Sequence, residues 1–492
     1  MILTTFMLFL SLFFVVGLSS YWASRKTTSD YLVAGKNMSP ALVGLSAVAT
    51  NNSGFMFIGM IGATYSMGLS SIWIMVGWIF GDWLAQKQTV KVIQEIGHQK
   101  NVHSYSGLLT HWILKNESHV DSQSATKPLA SSSWAVRRFR QTVGVFTVVF
   151  LTVYAAAQLK AGSKATEVLL DWSPETGIIL AAIMIFFYSM VGGLRASIWT
   201  DVAQSIVMLT GMALMVVFGV QAVGGPVEFW NSLQNVSPAY VGWFPENLGM
   251  IEAGLFVLGW IIGGMGVLGQ PHIVIRFMTL SNSYTAKQMQ HYYYAWFITF
   301  YSLTILAGLV SRLLMPELSS FDAELALPSL ADQLMPEIFV GLILAALFAA
   351  TMSTVDSLVL SCSAALSRDL TVKPVESLLL TKLATALILF AAMSLALSNN
   401  QTVFSLVLDA WGWLGSAFAP LILWLAWGRR ITIGWAMIAM LFGMTVFAVF
   451  AYGGLLSQIY SITFGFIGGF SMLLISQYLS QYISQIRSKF TA

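Results

Sequence analysis

The chain alternates between apolar stretches of about twenty residues and short polar segments along nearly its whole length. Thirteen apolar stretches are long enough to cross a bilayer as helices. They begin near residues 2, 40, 70, 142, 174, 199, 248, 290, 336, 376, 404, 431 and 458. The pattern predicts an all-α polytopic membrane protein of thirteen transmembrane helices, with its two termini on opposite sides of the membrane.

Two of these stretches are interrupted by polar residues and glycines about fourteen residues after each helix begins. The first break is Asn51-Asn52-Ser53-Gly54, and the second runs from Gly263 to Pro271. Hydrocarbon cannot satisfy the N–H and C=O groups that a broken helix releases, so breaks occur where protein or a water-filled cavity does so. The matched pair predicts two inverted repeats of five helices, with a polar binding site between the broken helices, and indicates a transporter.

Glycine in a membrane helix can also serve only to let two helices approach closely. We favour this interpretation for Gly192, Gly193, Gly465, Gly468 and Gly469. At the two breaks, asparagine, glutamine and proline accompany the glycines. The presence of these residues favours true discontinuities of the helix.

The repeats define the expected organisation of the chain. Residues 1–22 form a first helix, 40–220 and 248–427 the two repeats, 431–478 two further helices, and 479–492 a cytoplasmic tail. The polar residues 86–140 are expected to form a cytoplasmic loop whose serine-rich run 118–133 is mobile. A cleaved signal peptide stays an alternative for the first helix, because Ser19 and Ser20 follow its apolar run.

Composition agrees with a membrane location. Hydrophobic residues make up 57% of the chain and charged residues only 9%, which excludes a soluble globule. If the N-terminus lies outside, 21 of the 24 lysines and arginines fall on the cytoplasmic side, and only Lys160, Lys164 and Arg312 fall outside. Because the basic residues lie in short loops, the net charge of +3 does not indicate nucleic-acid binding.

No catalytic constellation and no phosphate-binding loop is visible in the sequence, so we expect neither an enzyme nor an ATP-driven pump. No cofactor is expected beyond a coupling ion. The short loops and the lack of a targeting peptide indicate a bacterial inner membrane, with a cytoplasmic C-terminus.

Five motifs in order along the chain carry a family resemblance. They are Tyr31–Lys36, Leu45–Gly54, Gly192-Gly193 with Trp199–Asp201, Gly269–Phe277, and Ala349–Ser357. In residue types and spacing, from about residue 20 to residue 470, they resemble the sodium:solute symporter family, most closely its bacterial sodium/proline symporter branch. The resemblance implies the fold of five-plus-five inverted repeats found in leucine transporters.

The resemblance also implies a sodium site between the first and eighth core helices. Its matching positions are Ala49, Asn52, Ala350, Ser353 and Thr354. Sodium is a hard cation that prefers oxygen ligands, and an unwound turn offers free carbonyls. Taken alone, the hydroxyls of Ser353 and Thr354 would more often bond back to their own helix, which stays an alternative.

Several residues are implied to contact the solute. Tyr154 matches a tyrosine that faces the solute, and Gly263 and Val267 stand where the proline branch has an aromatic pair. We therefore expect a roomier pocket than one for proline, unless Trp260, Leu268 or another side chain fills the gap. The remaining candidates lie beside the breaks or one turn from Tyr154: Ser53, Gln158, Gln270 and Pro271.

Three polar residues are candidates for the ion path or for coupling. Asn51 replaces an aspartate that the proline branch uses near sodium, so sodium affinity is either lower or carried by the other oxygens. Asp201 matches a family aspartate tied to ion passage, although helix capping is an alternative. Asp409 has no counterpart in that branch and can pair with a solute ammonium, serve as a proton site, or reach the outer interface.

These features predict sodium-coupled symport of a small organic solute by alternating access. The half-helix ends, expected at Asn51 and Gly264, favour an amino acid or related carboxylate. Two alternatives stay open, a proton-coupled or uncoupled carrier and a transporter-like solute sensor. Sodium, the solute and the lipid bilayer are the expected partners.

Overall fold

The computed structural model describes residues 1–99, 102–118, 133–246, 248–315, 321–371, 373–398 and 402–491. Among these residues the regular elements are all helices, and the sole β pairing is an isolated bridge between Met38 and Leu280. The predicted all-α class is confirmed. Most of the serine-rich run 118–133 lies outside the described residues.

Eighteen α-helices follow one another along the described parts of the chain. They are α1 (Ile2–Ala23), α2 (Thr28–Val33), α3 (Pro40–Asn51), α4 (Ile61–Met67), α5 (Ile72–Gly97), α6 (Tyr105–Ser118), α7 (Ser133–Leu170), α8 (Pro174–Val223), α9 (Pro226–Gln234), α10 (Met250–Met265), α11 (Pro271–Met278), α12 (Ala286–Leu314), α13 (Ala326–Leu334), α14 (Glu337–Arg368), α15 (Leu378–Ser398), α16 (Val403–Ala426), α17 (Ile433–Tyr452) and α18 (Ile462–Thr491).

Eleven helical stretches among the described residues are long and apolar enough to cross a membrane. Shorter apolar helices, α3 and the first part of α8 (Pro174–Phe187), lie where the predicted spans at 40 and 174 begin. The chain is therefore a multi-pass membrane protein. Length and composition do not confirm the predicted count of thirteen.

Both predicted helix breaks are present. α3 ends at Asn51 because Asn52 leaves the helical region (φ −97°, ψ 73°), and a π-helical turn, Met56–Met60, precedes α4. α10 ends at Met265 and is followed by a 3₁₀ turn (Gly266–Gly269) and the extended residue Gln270. Pro271 then opens α11, where its missing N–H is not needed.

The fifty residues of α8 form two segments rather than one rod. Gly193 has φ 55° and ψ −140°, a conformation that residues with a Cβ rarely adopt. A Cβ at this position would also overlap the carbonyl oxygen of Tyr31. The turn at Gly193 thus separates the two spans that the sequence predicts at 174 and 199. The assignment of Gly193 to helix packing alone was wrong, because its backbone is not helical.

The other glycines assigned to packing also lie against neighbouring helices. A Cβ on Gly192 would overlap the Ser20 hydroxyl, and one on Gly465 would overlap the Ser416 hydroxyl. Cβ atoms on Gly468 and Gly469 would lie 3.0 Å from Val446 and 3.2 Å from Pro420. The packing interpretation is confirmed for these positions.

The closest glycine-lined contact joins α5 to the broken helix α10. A Cβ on Gly81 would overlap the carbonyl oxygen of Ile261, and a Cβ on Gly264 would overlap that of Trp78. Because backbone atoms form the contact, no side-chain rotation can relieve an added methyl group. This contact fixes α10, and with it the second break, against α5.

The variant Gly81→Ala is therefore expected to destabilise the fold by about 2–3 kcal/mol, because the two backbones must separate. The melting temperature of the purified protein in detergent measures this loss. Gly434→Ala is the matched control, because a Cβ on Gly434 meets no atom within 4 Å. Equal melting temperatures for the two variants would contradict the packing described for α5 and α10.

Candidate functional site

A cluster of oxygen atoms joins the first helix break to α14. The Ser353 hydroxyl lies 3.3 Å from the Ala49 carbonyl oxygen and 3.0 Å from that of Ala350. The Thr354 hydroxyl lies 3.1 Å from the carbonyl oxygens of both Thr50 and Ala350. All five residues are buried. The end of α3 is therefore held to α14 entirely through oxygen atoms.

This cluster contains more acceptors than donors. Three carbonyl oxygens face two hydroxyls, and each hydroxyl has one proton to donate. A hard cation at the metal–oxygen distances of about 2.3–2.6 Å known for calcium would separate neighbouring ligands of an octahedron by about 3.3–3.7 Å. The observed separations of 3.0–3.3 Å approach that spacing. The arrangement is chemically suited to a monovalent hard cation.

The structure brings together four of the five residues predicted to hold sodium, namely Ala49, Ala350, Ser353 and Thr354. The fifth, Asn52, is predicted to bind through its backbone carbonyl, and no hydrogen bond joins it to α14 within the described residues. Its side-chain amide donates to the Val48 carbonyl (2.9 Å). The alternative back-bonding of the two hydroxyls to Ala350 coexists with the contacts to α3. The Thr50 carbonyl was not predicted, because a backbone oxygen leaves no trace in residue type.

A second polar cluster surrounds the first break on the side of α7. Gln158 Oε1 accepts a hydrogen bond of 2.8 Å from the Gly54 backbone N–H, which the break leaves without a helical partner. The Tyr154 hydroxyl donates to the Ser53 hydroxyl at 3.4 Å. The Tyr154 ring also meets His272 of α11 edge-on, with centroids 5.6 Å apart. Residues of both breaks thus meet at Tyr154.

Several buried polar atoms around this cluster have no hydrogen-bond partner among the residues that the structure describes. They are Gln158 Nε2, Gln270 Oε1 and both ring nitrogens of His272. Buried polar groups are nearly always hydrogen-bonded, so such atoms mark groups that are available to a ligand. Donors and acceptors are both present, which suits a solute with both kinds of polar group.

The half-helices that begin at the breaks start elsewhere than predicted. Asn51 is the last residue of α3, and Gly264 lies inside α10. The helix after the first break starts at Gly54, and the one after the second starts at Pro271, directly after Gln270. The expected N-terminal ends at Asn51 and Gly264 were therefore wrong by a few residues, because the unwound turn follows rather than precedes these positions.

The space beside Gly263 is filled by aromatic rings. A Cβ on Gly263 would lie 3.1 Å from the Tyr460 ring, and the Gly263 carbonyl accepts a hydrogen bond of 2.8 Å from Trp411 Nε1. Val267 is fully buried. Tyr460 rather than Trp260 or Leu268 occupies the gap that the sequence leaves open.

The structure changes the interpretation of Arg276, which the charge analysis assigns to a cytoplasmic helix end. Its side chain is wholly buried. Its Nη2 lies 2.9 Å from Asp201 Oδ2 and 2.8 Å from the Ser197 hydroxyl, and it also contacts Ser357. The apolar surroundings of α11 require such a partner for the guanidinium. Arg276 lies in the last turn of α11, where it is the buried partner of Asp201 rather than an exposed loop charge.

Asp201 is likewise internal. It lies within α8, not at a helix end, and accepts a 2.5 Å hydrogen bond from the Ser46 hydroxyl. Asp356 is part of the same network, with its Oδ1 bonded to Ser197 (3.0 Å) and Ser357 (2.9 Å). Asp201 therefore does not cap a helix, and the capping alternative was wrong.

Asp409 is half-buried and lines an open cavity of about 440 Å³. Aromatic side chains of α10, α16, α17 and the segment before α18 share this cavity, among them Trp260, Phe404, Phe447 and Tyr460. The carboxylate is thus accessible from the cavity.

Sequence reasoning missed Asp82. This carboxylate is fully buried in α5 and bonded to Asn51 at the first break. The signal was available, because an ionisable residue within an apolar span is costly and is rarely without a role.

Comparison with known proteins gives one family and several relatives. A sequence model of the sodium:solute symporter family matches residues 31–110 and 131–443. The high-affinity proline transporter PutP of Bacillus subtilis is 27% identical over 486 residues, which cover 96% of each chain. The sodium/proline symporter of Escherichia coli is 27% identical over 498 residues, covering 95% of this chain and 91% of the relative.

Solved structures show the same fold. A Na⁺-coupled sialic acid symporter, in a substrate-bound outward-open state, aligns with a TM-score of 0.76 at 16% identity over 97% of each chain. A nucleobase-cation-symport-1 family transporter in a closed conformation aligns with a TM-score of 0.52 at 14% identity, covering 91% of this chain and 94% of the other. The architecture predicted from the matched helix breaks is confirmed.

Proposed function

The chain belongs to the sodium:solute symporter family, and we propose that it imports an amino acid or a related organic acid together with sodium. The oxygen cluster between α3 and α14 is the observation that carries the proposal. It provides five oxygens, three carbonyls and two hydroxyls, and oxygen is the ligand that a hard cation prefers. Alternating access would expose this cluster to each side of the membrane in turn.

The polar atoms near Tyr154 support a solute with donors and acceptors. Gln158, Gln270 and His272 offer unpartnered groups of both kinds. The N-terminal end of α11 at Pro271 carries the positive end of the helix dipole, which favours a carboxylate. The names of the bacterial relatives make proline the first solute to test. The aromatic wall of Tyr460 beside Gly263 supports a compact apolar side chain.

Uptake by proteoliposomes tests this proposal. With an inward sodium gradient and an inside-negative potential of about 100 mV, one sodium ion per solute supports accumulation of about fiftyfold from the potential alone. We expect labelled proline, or another member of an amino-acid and organic-acid panel, to accumulate with sodium and not with choline. Equal uptake in both buffers would contradict the proposed coupling of transport to sodium.

The same vesicles separate the alternatives. A proton-coupled carrier, which the neutral Asn51 and the accessible Asp409 would allow, would accumulate solute under a pH gradient without sodium. An uncoupled carrier would only equilibrate it. A sensor would bind solute without transport in either buffer.

We further propose a bacterial inner membrane as the location, with the N-terminus outside and the C-terminus in the cytoplasm. The distribution of lysine and arginine supports this orientation, because Arg276 is the only member of the cytoplasmic set that we reassign to the interior.

A further inference from the structure

A buried carboxylate lies beside the first break and has no part in the proposed function so far. Asp82 Oδ1 accepts hydrogen bonds from Gln86 Nε2 (2.6 Å) and the Tyr294 hydroxyl (2.7 Å). Its Oδ2 accepts from the Tyr293 hydroxyl (2.8 Å) and from Asn51 Nδ2 (3.2 Å). In the part of the chain that the structure describes, no basic side chain forms an ion pair with it.

These four donors are suited to stabilising an ionised carboxylate. Each is an N–H or O–H group directed at one of the two oxygens, and together they replace the hydration that the carboxylate loses on burial. A buried negative charge without a cationic partner nevertheless costs several kcal/mol. A cation bound nearby would offset part of this unfavourable free energy.

The contacts of Asn51 decide which way its amide faces. Nδ2 donates to Asp82 and also to the Tyr293 hydroxyl at 2.6 Å. Exchanging the amide nitrogen and oxygen would bring two oxygen acceptors to 3.2 Å, which is repulsive. The Asn51 Oδ1 atom is therefore left as an acceptor, and it is buried with no hydrogen-bond partner in the described parts of the chain.

Asn51 connects this carboxylate to the oxygen cluster along the chain. It is the last residue of α3, directly after Ala49 and Thr50, whose carbonyls face Ser353 and Thr354. The five oxygens of that cluster bear no formal charge, so the bound cation lacks an anionic partner among them. Asp201 is paired with Arg276, and Asp356 belongs to the same network through Ser197 and Ser357. Asp82 contacts Asn51 and has no ion-pair partner among the described residues, so it is the carboxylate left to supply one.

We propose that Asp82 is the counter-charge and positioning residue for sodium at the first break, acting through Asn51. Asp82 holds the Asn51 amide so that Oδ1 is a further sodium ligand, and its negative charge offsets that of the ion. A carboxylate in contact with an amide ligand resembles the outer-shell carboxylates that orient ligands at other metal sites. The inference rests on the proposed function, because it requires that sodium binds.

Moving the carboxylate from position 82 to position 51 tests the inference. The readout is the sodium concentration at which the site is half-occupied, fitted to the dependence of the melting temperature on sodium without solute and with choline replacing sodium. Asp82→Asn is expected to raise this concentration by about tenfold or more. The double variant Asn51→Asp/Asp82→Asn, which moves the carboxylate to position 51, is expected to return it to within about threefold of wild type.

Two further variants keep the result interpretable. Asn51→Ala removes Oδ1 and leaves Asp82 in place, and we expect a similar tenfold rise even if Asp82→Asn does not fold. Glu228→Gln removes an exposed carboxylate from α9 and is expected to change nothing. The melting temperature in choline reports the stability of each variant separately from its sodium response.

The outcomes separate this inference from the proposed function. A normal sodium response in Asp82→Asn or in Asn51→Ala would overturn the inference alone. A double variant no better than Asp82→Asn would do the same, because a merely structural contact is not rescued by moving the charge. A wild-type protein without any sodium response would overturn the proposed function, and the inference with it.

Discussion

Removing the hydroxyls of Ser353 and Thr354 together is expected to abolish the sodium dependence of uptake. In Ser353→Ala/Thr354→Val two of the five oxygens that join α14 to the first break are lost, while side-chain volume is nearly kept. Interactions with a charged partner contribute about 1.5–3 kcal/mol each. The loss of two should raise the sodium concentration for half-maximal uptake by more than about a hundredfold.

The matched control lies on the same helix. Ser367 is buried near the end of α14, and its hydroxyl donates to the Ser363 carbonyl at 2.7 Å within that helix. Ser367→Ala should therefore leave the sodium titration of uptake unchanged, although it also removes a buried hydroxyl. If the double variant at 353 and 354 kept the wild-type titration, the oxygen cluster would not be the sodium site.

Breaking the internal ion pair of Arg276 is expected to have the largest effect on stability. Arg276→Gln leaves Asp201 and Asp356 buried close together without the guanidinium that now contacts Asp201 at 2.9 Å. Removal of one partner of a buried pair costs about 3–5 kcal/mol, because the remaining charge is uncompensated. The melting temperature in detergent, or the yield of folded protein, measures this effect.

A second substitution shows whether charge is the cause. Arg276→Gln/Asp201→Asn removes both members of the pair and should recover much of the lost stability. Arg25→Gln, which removes an exposed arginine, should have almost no effect. A stable single variant would show that Arg276 is not needed to neutralise this buried network.

The helix breaks could be predicted from the sequence because their cause is local. Asn51 to Gly54 and Gly263 to Pro271 place amides, glycines and a proline inside apolar runs, and the membrane leaves few explanations for such residues. The same logic would have identified Asp82, a carboxylate within the apolar part of α5. Resemblance to the family identified Ser353 and Thr354, whose hydroxyls alone would be compatible with ordinary helix back-bonding.

Other features depend on which helices meet, which a single sequence does not encode locally. Tyr460 fills the space beside Gly263 from a segment almost two hundred positions away, so only the assembled bundle shows it. Arg276 looks like a charge at the end of a helix until Asp201 and Ser46 are found around it. The Thr50 carbonyl is a backbone atom, and its role follows from the end of α3 rather than from residue type.

Direct binding of radioactive sodium to the purified protein, without solute, is the measurement closest to the central claim. We expect saturable binding to the wild type, weaker binding to Asp82→Asn, and none to Ser353→Ala/Thr354→Val over the same range of sodium concentration. Saturable binding that is equal in the wild type and in the variant lacking both hydroxyls would contradict a sodium site between the first helix break and α14.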